Sequence, residues 1–131
     1  MRRTAWFTLA GVVVAGVVSS LAQTQGGGGI TSIQPIFDRE CVKCHGPQAQ
    51  KAKLDLSPEK AYTSLVNVPS RQVSTMVRVK PGDPDQSYLW LKLEHRSIEG
   101  VGMPKGLFSS KKLSRADLDA VRAWIAAGAS P

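Results

Sequence analysis

Cysteine is nearly missing from this chain: 131 residues hold two, Cys41 and Cys44, and no third thiol exists for a structural disulfide framework. Histidine is as scarce, with His45 and His95 alone. A zinc site drawn from Cys41, Cys44, His45 and His95 would therefore lack a second closely spaced ligand pair. Acidic side chains are outnumbered 10 to 17, which gives a formal net charge of +7. The basic residues do not cluster, and that absence disfavours nucleic-acid binding. No internal repeat is present. A hydrophobic content of 42% excludes a disordered chain, and the length accommodates one small domain.

Only one long apolar run occurs, at residues 5–18. Met1, Arg2 and Arg3 precede it, and Ser20-Leu21-Ala22 follows with small residues where a signal peptidase reads. Basic, apolar and small-residue regions in that order predict a secretory signal peptide over residues 1–22. The rival is a retained membrane anchor, but the run is shorter than the roughly 20 apolar residues a bilayer requires. No cysteine follows the run, which removes a lipoprotein anchor. Residues 23–29 end in four glycines and read as a flexible linker. Residues 30–131 are left as the folded domain. Periplasmic export is the expectation, with no stable membrane insertion once the signal is cleaved. Losing Arg2 and Arg3 lowers the charge from +7 to +5, so the mature surface is mildly basic.

Hydrophobic spacing predicts a mostly helical domain. A first helix is expected over residues 33–44, where Ile33, Ile36, Phe37, Cys41 and Cys44 share one face. A second is expected over 58–66, with Ser57 as its cap. A third is expected over 83–95, starting from Asp83, Pro84 and Gln86, with Leu89, Trp90 and Leu93 as its apolar stripe. The last should span 115–127, capped by Ser114 and burying Leu118, Val121, Trp124 and Ile125. Residues 76–79 read as a short extended piece, and residues 96–112 as a glycine-rich loop centred on Met103-Pro104.

The chemistry is concentrated in Cys41-Val42-Lys43-Cys44-His45. A C-x-x-C-H run is the attachment site of a c-type haem. Positions i, i+3 and i+4 of a helix lie on one side, so two thiols reach the vinyl groups of one porphyrin while the imidazole reaches its iron. One covalent haem c is the expected cofactor, bound through Cys41, Cys44 and His45. A hundred-residue domain is small for an unassisted core, and a buried haem supplies apolar mass. A second axial ligand is then needed opposite His45. Met103 is the candidate, set between glycines and followed by proline. His95 ends a charged stretch and reads as a solvated histidine at a helix end, and Met76 reads as ordinary packing. The iron-ligand pair is thus His45 and Met103. Arg78 is read either as a partner for a haem propionate or as an exposed strand residue. Trp90 and Trp124 are read either as packing on the porphyrin or as ordinary helix packing.

With the motif near the N-terminus, the late Met103-Pro104 and a final helix carrying Trp124, the chain resembles class I cytochrome c. Residues 37–46, 53–56, 78–84, 87–90 and 113–129 make it most similar to the planctomycete-type cytochrome c domains. The resemblance implies an all-α cytochrome c-like fold around one haem, in which the terminal helix crosses the first beside the haem edge.

An exported single-haem domain with both axial positions filled is expected to carry electrons rather than to be an enzyme. Its redox protein partners are expected to present an acidic docking face, oriented by lysines such as Lys43. The alternatives are a haem subunit of a periplasmic dehydrogenase or oxidase complex, and a haem sensor with a labile distal ligand. A thiol redox pair lacks the βαβ setting that would favour it.

Overall fold

The computed structural model describes residues 28–106 and 111–131. The signal peptide expected at 1–22 and most of the linker lie outside them. Four helices are present among the described residues: α1 (Gln34–Glu40), α2 (Ala61–Leu65), α3 (Tyr88–Leu93) and α4 (Arg115–Ala126). Two two-residue strands, β1 (His45–Gly46) and β2 (Ala49–Gln50), pair antiparallel with His45 opposite Gln50. Short 3-10 turns occupy Ile30–Ser32, Lys51–Lys53 and Pro84–Gln86.

The α-helices and the 3-10 turns together hold only 39% of the described residues. The all-α expectation therefore reduces to a helical fold with a small sheet. Three isolated bridges add to the extended content: Val66 to Val79, Pro69 to Val77, and Val77 to Ser87.

The first helix is five residues shorter than its periodicity suggests, ending at Glu40 rather than at Cys44. Pro35 fits its first turn, but the Val42 N–H reaches past its helical acceptor to the Phe37 carbonyl at 3.0 Å. Cys41 leaves helical geometry at φ −125°. The cysteine pair therefore lies in a turn after α1 rather than on it. That turn keeps helical hydrogen bonding, because the N–H groups of Cys44 and His45 both donate to the Cys41 carbonyl at 3.0 and 2.9 Å. Gly46 closes it: a Cβ there would meet the Val42 carbonyl oxygen at 2.5 Å.

The third helix, expected over 83–95, is broken at Ser87. Asp83 does cap the 3-10 turn, accepting from the Gln86 N–H at 3.1 Å. The fully buried Ser87 hydroxyl, however, accepts from the Lys80 N–H and donates to the Asp83 carbonyl, both at 2.8 Å. The Tyr88 and Leu89 N–H groups then donate to the carbonyls of Val77 and Arg78 at 3.0 and 2.9 Å. These long-range partners hold residues 76–79 extended and delay α3 until Tyr88.

The last helix follows its sequence signals. The Ser114 hydroxyl accepts from the Asp117 N–H at 3.1 Å, and Val121, Trp124 and Ile125 are buried. Leu118 is only partly buried. Arg39 pairs with Asp117 at 2.9 Å and Lys111 with Glu40 at 2.6 Å, tying α4 and its approach to α1. The core joins Ile33 and Phe37 to Leu56, Leu65, Val79, Trp90, Val121, Trp124 and Ile125.

Candidate functional site

The turn carrying Cys41 and His45, the 3-10 turn after β2, one side of α3 and the loop at Met103 form a cleft that is partly open to solvent. Leu54, Leu65, Leu89 and Leu93 give it apolar walls. Cys41, His45 and Met103 line the same cavity although Met103 lies 58 positions after His45.

His45 is half-buried, and its Nδ1 donates to the Lys51 carbonyl at 2.9 Å. A carbonyl oxygen only accepts, so the proton sits on Nδ1 and the Nε2 lone pair is free. Burial pushes the imidazole pKa down, partly opposed by that carbonyl, and so favours the neutral ring. A neutral ring whose other nitrogen is held by a carbonyl is the arrangement of a metal-ligating histidine.

Both cysteines are free thiols. Burial pushes the Cys41 thiol up to about 12, and neighbouring Glu40 adds to the shift. A thiol kept protonated is a poor nucleophile, which argues against a thiol-disulfide exchange pair. Cys44 faces Lys51, whose Nζ lies 3.9 Å from its sulfur. The zinc alternative fails on placement: among the described residues no three His, Cys, Asp or Glu side chains come together as a metal set.

Met103 is half-buried, and its N–H donates to the Lys92 carbonyl at 2.8 Å. The rivals for its role lie elsewhere, since neither Met76 nor His95 lines the cleft. His95 departs from the solvated histidine expected. It adopts φ +61° just beyond α3, and its ring lies so close to Gly102 that a Cβ there would meet it at 2.3 Å. Its Nε2 is buried without a partner among the described residues.

Arg78 is not the exposed strand residue of its second reading. It is half-buried at the cleft and donates to three carbonyls: Ser64 at 2.7 Å, Ala52 at 3.0 Å and Lys53 at 3.2 Å. Burial lowers its pKa, with Arg71 adding repulsion. It fastens the Lys51–Lys53 turn, in which Ala52 and Lys53 both have positive φ and Lys51 holds His45. Trp90 and Trp124 belong to the core and do not line the cleft, and the Trp124 indole donates to the Ser130 carbonyl at 2.8 Å.

Sequence reading missed Tyr88 and Lys92. Both line the cleft, and Lys92 is only 6% exposed despite its charged neighbours. The available signal was spacing: Tyr88 and Lys92, like Leu89 and Leu93, stand four apart and project from one side of a helix.

The family model for cytochrome c matches residues 30–128. The chain belongs to the cytochrome c family. No curated protein and no solved structure matches it significantly. Membership gives this cytochrome a covalently attached haem c and a haem-based electron-transfer role. The residues present fit that group: a mostly apolar cleft, free thiols at the C-x-x-C spacing, and an imidazole with Nε2 uncommitted.

Proposed function

We propose that this cytochrome is an exported, single-haem electron carrier. Cys41 and Cys44 would hold the porphyrin, and His45 and Met103 would ligate its iron. The observation that carries the reading is the meeting of Cys41, His45 and Met103 around one apolar cleft. The haem, once bound, supplies one-electron iron chemistry. His45 enters that role with its tautomer set by Lys51. The soft Met103 thioether favours ferrous iron and raises the reduction potential relative to a second imidazole. Ligation by both His45 and Met103 would leave the iron no open site for oxygen or substrates, which favours a carrier over an enzyme. The Pro81-Gly82-Asp83-Pro84 segment supports the planctomycete-type subfamily.

The signal-like residues 1–22 support periplasmic action after cleavage. No described helix is long and apolar enough to cross a membrane. Lys43, Lys51, Lys53 and Arg71 are exposed around the turn and the cleft mouth, and none forms an ion pair among the described residues. Such a face suits an acidic redox protein. The rate of electron transfer to an acidic single-electron acceptor protein is expected to fall about tenfold from low to physiological salt, and Lys43→Glu should flatten that dependence. A salt-independent rate, measured by stopped-flow mixing, would contradict the docking face.

The ligation is tested by the optical spectrum of the ferric holoprotein. A far-red thioether-to-iron band should be present, lost in Met103→Ala and kept in His95→Ala. Its absence from the unmodified protein would overturn the axial assignment.

A further inference from the structure

We infer that Lys92 is a positioning residue that holds the Met103 loop against the cleft, an inference that rests on Met103 being the sixth ligand. The side chain is almost fully buried, at 6% exposure, and no carboxylate pairs with it among the described residues. A buried cation with no carboxylate in contact is costly unless its donors are used. Here they are used on one segment. Nζ donates to the Glu99 carbonyl at 2.6 Å and to the Val101 carbonyl at 3.1 Å. It also lies 5.2 Å over the Tyr88 ring, a favourable cation–aromatic distance. The Tyr88 hydroxyl adds a further bond to the Glu99 carbonyl at 2.9 Å.

The backbone of Lys92 completes the hold, because its own carbonyl accepts from the Met103 N–H at 2.8 Å. One residue of α3 thus grips the loop at residues 99 and 101 through its side chain and at 103 through its backbone. Little else does so: Arg96 and Met103 supply the only backbone-to-backbone bonds of residues 96–103 among the described residues. The position of the thioether therefore depends on the ammonium.

Removing charged hydrogen bonds of this kind should weaken the closed loop enough to raise the affinity of a competing ligand about tenfold. The test uses covalently loaded holoprotein. Lys92→Leu is expected to lose most of the far-red band and to bind added imidazole about tenfold more tightly. Its far-UV circular dichroism and covalent haem content should stay unchanged. Gly100→Ala attacks the same clamp from the loop side: at φ +66° a new Cβ would meet Lys92 Nζ at 3.2 Å and Gln72 Nε2 at 2.7 Å. It should give the same spectral loss, and it decides the matter if Lys92→Leu does not fold. A deciding variant that keeps both the band and the wild-type imidazole affinity would overturn the role of Lys92 and leave the Met103 ligation standing. A wild-type protein without the band would remove both.

Discussion

Met103→Ala is expected to turn a closed carrier into a ligand-binding haem protein. With the thioether gone, no other described side chain offers a ready replacement: Met76 and His95 lie outside the cleft, and the ammonium of Lys92 is committed to carbonyls. The ferrous variant should therefore bind carbon monoxide readily at neutral pH, where the wild-type protein resists it. Its reduction potential should fall by on the order of 0.1 V, a modest part of the about 0.8 V that axial ligands command. Potentiometric titration with optical detection checks both effects in one sample. An unchanged potential would mean that sulfur does not ligate the iron.

Trp124→Ala is expected to be the most damaging core substitution. The indole is 1% exposed and packs at the centre of the core with Phe37, Val121 and Ile125. Its N–H also fixes the Ser130 carbonyl, which accepts from the Ile30 N–H at 3.0 Å and so joins the two ends of the domain. Truncating a buried aromatic costs about 3–5 kcal/mol. Domains of this size have about 5–15 kcal/mol in total, so the loss is a large fraction. Urea unfolding followed by circular dichroism should show the midpoint falling sharply. A loss below about 1 kcal/mol would mean that Trp124 is not central to the packing.

What could be read directly from the sequence was local. The C-x-x-C-H run needs no distant partner to be recognised, and the Ser114 cap and the Val121-Trp124-Ile125 stripe delimit α4 to within a residue. Met103 could be proposed because glycines and a proline frame it. What escaped depends on contacts far along the chain. Nothing near Ser87 announces that Lys80 and Asp83 will capture its hydroxyl, or that Val77 and Arg78 will take the next two N–H groups. A capping box in the right order therefore produced an overlong helix. The periodicity of residues 33–44 misled in the same way, because it continues through a turn whose hydrogen bonds have already shifted. Lys92 was hidden by composition: Glu94, His95 and Arg96 follow it, and a charged stretch reads as solvated until the loop that folds over it is known.

The most direct measurement is whether haem remains on the polypeptide when the purified protein is unfolded and extracted with acidified organic solvent. The chain should retain one haem, carry the added mass of one porphyrin, and leave neither Cys41 nor Cys44 open to alkylation. Haem passing into the solvent, with both thiols alkylated on a colourless chain, would contradict the account.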